Sequence, residues 1–214
     1  MRTGIFISTI VFALFMTAAS AQVMSTIKLP PPALNPDKPL MEALKQRQSG
    51  REYSGMMLTP QDLSNILWSA NGINRPESGK RTSPSAKNAQ DIDIYAVMKD
   101  GTFLYDASKH ELMLIASGDH SIDAGMQPYV ASAPLNLMYV SDLAKFEFMK
   151  EREDKLIAAA VDAGHCSQNV YLYCAAANLS VVTRMSIQKK KMAEILNLRP
   201  QQYIVIGQTI GHPK

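Results

Sequence analysis

Between Leu156 and Ala177 the chain runs without a proline through alanine and other good helix formers, and its apolar side chains cover much of the circumference that a 3.6-residue repeat traces. A helix of that length and composition has to be packed on several sides. It therefore predicts a domain assembled around one long central helix. Asn178 follows it, a residue that tolerates the left-handed conformation and can close a helix. The two cysteines, Cys166 and Cys174, lie within this segment. A rise of about 1.5 Å per residue sets them about 12 Å apart, too far to bridge each other. With no Cys/His cluster around them, both read as small buried apolar residues.

Other elements announce themselves by caps and alternation. Leu40, Ala43 and Leu44 share one face of a short helix that delivers Arg47, Ser49 and Arg51 to its end. Thr59, Pro60 and Asp62 supply an N-cap, a proline at the first helical position and an acidic third position. Leu63, Ile66, Leu67 and Ala70 are the buried stripe of that helix, and Asn71 with Gly72 is expected to end it in left-handed conformations. A polar loop is expected from Ile73 to Gln90. Ile92, Ile94 and Ala96 then alternate with Asp93, Tyr95 and Val97 as a strand, and Asp100-Gly101 turns the chain into Phe103 to Tyr105. Glu111 to Ile115 extends this hairpin, and Leu135 to Val140 reads as a buried strand. Helical periodicity resumes near Phe146, Ser186 is a candidate cap for a last helix holding Met192, Ile195 and Leu196, and Tyr203 to Ile206 forms a closing strand ended by Gly207. Hairpins and helices in this order argue for an α+β domain.

The N-terminus carries a different signal. Arg2, an apolar run from Ile5 to Phe15 and the small residues Ala18 to Ala21 read as a secretory signal peptide, residues 1–21, cleaved after Ala21. The run is short of the roughly 20 residues that span a bilayer, which sets a retained anchor behind cleavage as a reading. Residues 22–38, with Pro30, Pro31, Pro32 and Pro36, are expected as an extended arm, and 39–214 as the globular domain. The chain is thus expected to be exported, periplasmic or secreted, with no integral membrane segment after cleavage.

Chemistry-bearing motifs that stand alone are missing: no glycine-rich phosphate loop, no paired histidines on a helix, no Ser/His/Asp signature. His110, His120, His165 and His212 are scattered without ligand spacing, so no metal is expected. The formal net charge is only +3, and the one basic cluster, Lys189 to Lys191, reads as a solvated helix face, so no nucleic-acid partner is expected. What remains is Arg47, Gln48, Ser49, Gly50, Arg51: two guanidinium groups and a hydroxyl at alternate positions, able to face one dianionic phosphate. An exposed basic turn would look the same.

Taken with the rest of the chain, that segment resembles the opening Arg-Arg-Ser-x-Arg motif of the nitroreductase family, with Gln48 in place of the second arginine. Pro84, Ser85, Ala86, Lys87 and Asn88 resemble the family's Pro-Ser-x-x-Asn loop, Ala175 to Thr183 its helix end and Val/Thr-rich strand, and Gly211, His212, Pro213 its closing segment. Asn71, Gly72, Ile73 and Asn74 look like the subgroup of thiazoline and oxazoline dehydrogenases. The resemblance spans Pro39 to Lys214 in the correct order. It implies a nitroreductase-like fold, a central, mostly antiparallel sheet surrounded by helices, in a homodimer that shares two FMN sites.

It also implies the site residues. Arg47 and Ser49, flanked by Gln48 and joined by Lys214, are expected at the FMN phosphate, and Arg51 at the pyrimidine side of the ring, where a cation stabilises charge gained on reduction. Pro84, Ser85 and Asn88 are expected to reach the partner's flavin, and the turn Val182, Thr183, Arg184 to lie against N5, Arg184 facing the substrate. No catalytic side chain is assigned. The implied activity is FMN-dependent oxidoreduction, hydride or electron transfer through flavin N5 to a small nitroaromatic, quinone or heterocycle, with NAD(P)H a candidate donor that export makes doubtful. Two other classes stay open: a non-catalytic flavin carrier or sensor, and a cofactor-free exported domain.

Overall fold

The computed structural model describes residues 25–34 and 38–214; residues 1–21, expected as a signal peptide, lie outside them. The elements in chain order are β1 (Thr26–Lys28), α1 (Leu40–Gln46), α2 (Pro60–Asn71), β2 (Ile73–Arg75), β3 (Lys80–Arg81), β4 (Ile92–Met98), β5 (Gly101–Asp106), β6 (Glu111–Ser117), α3 (Pro128–Ser132), β7 (Leu135–Asp142), α4 (Arg152–Ala176), β8 (Ser180–Arg184), α5 (Lys189–Ile195) and β9 (Gln202–Gly211). Seven strands form one sheet in the order β1-β6-β5-β4-β7-β9-β8, and every neighbouring pair is antiparallel. β2 and β3 form a separate small hairpin.

Side-chain alternation sorts the central strands onto two cores. Ile94 and Ala96 of β4, with Leu135, Leu137 and Tyr139 of β7, pack beneath α2 and α4 against Ile66, Ala159, Ala163, Cys166 and Val170. Tyr95, Val97, Met138 and Val140 point the other way, onto Val130, Met192, Leu196 and Ile204. Both faces are covered, so all eight residues of β7 are buried. α2 begins as its sequence predicts: Thr59 accepts the Asp62 N–H and Asp62 accepts the Thr59 N–H, a reciprocal cap worth about 1 kcal/mol. Ile66 and Leu67 are fully buried, each contributing about 1.5–3 kcal/mol.

Several local expectations give way to tertiary packing. Gly72 is extended, φ −71° and ψ 164°, and Asn71 stays helical, so neither ends α2 in a left-handed conformation. Gly72 is needed for close approach instead, because a Cβ there would overlap the Trp68 ring. The stretch expected as a loop from Ile73 to Gln90 contains the β2–β3 hairpin and a 3₁₀ turn at Ala86–Asn88. α4 begins at Arg152 rather than near Phe146, and Asn178 (φ 56°) closes it as expected. Ser186 does not cap α5: Gln188 holds that place with no side-chain bond, and the Ser186 hydroxyl is taken by Gln127. β9 runs on past Gly207 to Gly211 because it has β7 on one side and β8 on the other.

α4 packs on the sheet and on α1 and α2, as its composition predicts, but one face stays open within the protomer. Ala159, Ala163, Cys166, Val170 and Cys174 face the sheet, while Ile157 and Val161 are 58% and 51% exposed. α1 behaves likewise, burying Ala43 and exposing Leu40 and Leu44.

Candidate functional site

After α1 the chain turns out along β8, the outer edge of the sheet. The Gly50 N–H donates to the Val181 carbonyl at 2.9 Å, and the Ser54 N–H to the His212 carbonyl at 3.0 Å, so the Arg47–Arg51 segment lies between the edge strand and the C-terminal tail. The backbone runs close to β8 at position 50, where a Cβ would push the Ser180 hydroxyl into another rotamer. Tyr53 pins the segment from beneath through hydrogen bonds to the carbonyls of Gly50 (3.1 Å) and Thr209 (3.2 Å). Burial above all raises the pKa of its hydroxyl, which stays a neutral donor.

A cleft of about 560 Å³ opens here, lined by Arg47, Gln48, Gly50, Ser180, Val181 and Pro213 together with Lys45 and the end of α4. Among the described residues, Lys45 and Arg47 are the only charged ones in its lining. The α4 C-terminus would bring partial negative charge, but Lys38 Nζ sits on the Ala175 carbonyl at 3.2 Å and on Asn178 Oδ1 at 2.5 Å and offsets it. The cleft therefore suits an anion.

Tyr171, a residue that periodicity counts only as part of a helix, organises this end of the site. Its hydroxyl accepts the Thr183 N–H at 2.9 Å and lies 2.9 Å from Ser49 Oγ, while the Arg47 guanidinium stands 5.4 Å from its ring centre. The Ser49–Tyr171 contact uses one of the two hydroxyl hydrogens, so the other is free for a further acceptor. Nothing local marks Tyr171; only the fold brings position 49 to it. Arg51 is exposed beside this group, and Lys214 follows Pro213 at the exposed end of the tail.

Two expectations about β8 are corrected. Val182, Thr183 and Arg184 form a strand, not a turn, and the Thr183 N–H is already spent on Tyr171. Arg184 turns inward, away from any substrate face, and is 6% exposed. Its guanidinium binds Thr209 Oγ1 (2.9 Å), the Ala124 carbonyl (2.6 Å) and Asn136 Oδ1 (3.0 Å), filling the space left by two glycines, Gly125 and Gly207. Burial draws its pKa down to about 10, so it remains charged at neutral pH. The physical reason is strand parity: Thr183 faces α4, where its hydroxyl meets Ser167 Oγ at 2.6 Å, so its neighbours Val182 and Arg184 point to the opposite face of the sheet.

Pro84, Ser85 and Asn88 do not join the Arg47 group within one protomer. Their loop packs over the middle of α4, where the Ala86 N–H donates to Asp162 at 2.9 Å. Nine residues of helix, about 14 Å, separate Asp162 from Tyr171.

An antiparallel seven-stranded sheet, one long helix across it and an anion-suited cleft at the sheet edge define an α+β protein with a candidate site for an anionic group. A model of the nitroreductase family matches residues 44–212, and the chain belongs to that family. A nitroreductase-named protein of Methanocaldococcus jannaschii is 27% identical over 183 residues, 80% of this chain and 90% of its own. A crystal structure from Ralstonia eutropha JMP134, also under a nitroreductase name, superposes with a TM-score of 0.83 at 34% identity, covering 88% of this chain and 90% of that one. A nitroreductase-named structure from Desulfovibrio desulfuricans, which is a complex with FMN, reaches a TM-score of 0.59 at 19% identity over 83% of this chain and 87% of that one. Membership supports an oxidoreductase role.

Proposed function

We propose that the protein is an FMN-dependent oxidoreductase working as a homodimer, and that the cleft at the β8 edge takes the FMN phosphate. The observation that carries this is the convergence of Arg47, Gln48, Gly50 and Pro213 on one cleft whose lining, among the described residues, holds the cations Lys45 and Arg47 and no carboxylate, with Ser49 next to Arg47 on the Tyr171 hydroxyl. In this reading Arg47 and Ser49 hold the phosphate, Gln48 lines the same wall, and Lys214 closes over it. Arg51 supplies a fixed positive charge toward the pyrimidine edge. Pro84, Ser85 and Asn88 serve the flavin of the partner subunit, whose contact with α4 would cover Ile157 and Val161. When bound, FMN supplies transfer of a hydride or electrons at N5, from a donor such as NAD(P)H or an exported equivalent to a nitroaromatic, quinone or heterocycle. Val182 and Thr183 form the strand wall beside that position, while Arg184 supports the wall from within. We further assign residues 1–21 to an export signal that leaves the protein periplasmic or secreted.

The test is the visible spectrum of the purified protein after incubation with FMN and desalting, compared with the Arg47→Ala, Arg51→Ala double variant. Flavin retained by the wild type and lost by the variant supports the site. A wild-type protein that retains no flavin overturns it.

A further inference from the structure

Beneath the Pro84–Asn88 loop lie two carboxyl groups that flavin binding does not itself require. Asp91, just before β4, is fully buried, and Asp162, in the middle of α4, is 2% exposed. Asp91 Oδ2 accepts the Ser141 hydroxyl at 2.5 Å, whereas Oδ1 is buried with no partner among the described residues. Asp162 Oδ2 accepts the Ala86 N–H at 2.9 Å, and its Oδ1 is 3.9 Å from His165 Nδ1. The two carboxyl groups line one cavity of about 10 Å³ with Ser83, Asn71, Arg81 and Cys166, and Asp162 is among the groups that raise the Asp91 pKa. That volume is about what one water needs, so the orphaned oxygen is served by a single water at most or by a proton shared with its neighbour.

Among the described residues no Lys or Arg side chain bonds either carboxyl group. Arg81 lines the same cavity, but its guanidinium donates to Gln90 Oε1 and the Asn71 carbonyl, and Lys145 binds the Gln90 carbonyl. His165 is on the exposed side of α4, and Asp142, whose N–H donates to the Asp91 carbonyl, is itself paired with Arg199. Burial, together with Asp162 and against the opposing Ser141 hydrogen bond, pushes the Asp91 carboxyl up to about 7, and burial pushes the nearby Cys166 thiol up to about 12.

We infer that Asp91 and Asp162 share one proton, Oδ1–H of Asp91 donating to Asp162, and that this pair is the latch that holds the Pro84–Asn88 loop in its flavin-facing shape. The proton gives the orphaned oxygen a partner and leaves Asp162 ionised to accept the Ala86 N–H. The loop needs such a hold because Lys87, Asn88 and Gln90 all have left-handed backbones, φ 48°, 57° and 48°. Its other ties include the Gln90 N–H to Ser85 Oγ at 2.9 Å, the Asn88 N–H to the Ser85 carbonyl at 2.9 Å and Lys87 over the Phe148 ring at 4.6 Å. Removal of the proton sets two buried carboxylates against each other, Asp162 moves off, and the Ala86 N–H loses its acceptor. Asp91 and Asp162 are positioning residues here, and their bearing on flavin rests on the proposed placement of Ser85 and Asn88 at the partner's FMN.

The decisive variant is Asp91→Asn, whose amide donates to Asp162 at every pH while its oxygen still accepts from Ser141. FMN affinity of the full protein, read by fluorescence quenching, is expected to weaken about tenfold from pH 6.5 to 8.5 in the wild type and to stay flat in Asp91→Asn. Asp162→Ala, with its fold checked by circular dichroism, should bind FMN weakly throughout. Hydrogen exchange of residues 84–90, corrected for intrinsic pH dependence and measured without FMN, should lose protection over the same interval in the wild type alone. Exchange protection that is flat with pH, or identical titrations in wild type and Asp91→Asn, overturns the latch. If protection titrates while FMN affinity does not, the latch stands and the placement of Ser85 and Asn88 at the flavin falls.

Discussion

Replacing Tyr171 by phenylalanine removes one oxygen from the point where three distant parts of the chain meet. The ring stays, and with it the surface under Arg47; what goes is the acceptor for the Thr183 N–H and the contact to Ser49, both at 2.9 Å. Ser49 is exposed and exchanges its lost partner for water at little cost. Thr183 is half-buried at the sheet edge, and an amide stranded there costs about 1 kcal/mol of stability. If Ser49 is held in place for the FMN phosphate, losing its support should cost binding by a similar amount, about a fivefold rise in Kd. Fluorescence titration of FMN into wild type, Tyr171→Phe, Ser49→Ala and the double variant measures both the loss and its route. When Tyr171 acts through Ser49, the double variant binds no worse than Ser49→Ala. Strictly additive losses, or wild-type affinity in Tyr171→Phe, would refute the reasoning.

Arg184→Met should lower stability by about 2–4 kcal/mol in urea unfolding, because it removes a buried donor from three acceptors, of which Asn136 Oδ1 keeps the Thr209 hydroxyl; an unchanged midpoint would remove Arg184 as the internal clip. The raised Asp91 pKa carries a stability term of definite sign: the folded protein holds the proton more tightly than the unfolded chain. That contribution is complete below about 3.8, falls as pH rises to about 7 and is then exhausted, amounting to at most about 4 kcal/mol, with Asp91→Asn flat across the same window. Unfolding midpoints from pH 4 to 8 decide it, and parallel curves for the two proteins would contradict the raised value. A charge at the exposed face of α4, Val161→Glu, or at half-buried Leu172 should shift the protein toward monomer in sedimentation and reduce bound flavin together. Full flavin retention in a stable monomer would rule out sites shared between subunits.

Much of the fold is legible residue by residue. The Thr59–Asp62 cap, the alternation from Ile92, the meander to β6 and the apolar run of β7 all depend on side chains a few positions apart, and each appears where local rules put it. Misreadings fall where a distant partner intervenes. Gly72 answers to the Trp68 ring, Ser186 to Gln127, and the length of β9 to two flanking strands. The candidate site divides the same way. The Arg47–Arg51 segment is visible as a motif, but that Arg184 faces inward follows only from the parity of β8 against β9.

By itself the sequence determined the family, the α+β class and a long helix as the organising element, because caps, periodicity and motif order are written in neighbouring residues. Only the tertiary structure decided which side chains share a place: Ser49 with Tyr171 across 122 positions, Ala86 with Asp162 across 76, Asp91 with Ser141 across 50. Those pairings are set by strand register and by the face of α4 that the sheet buries. A register shift of one residue would turn every β8 side chain to the other face, and no local pattern in the chain records which face wins.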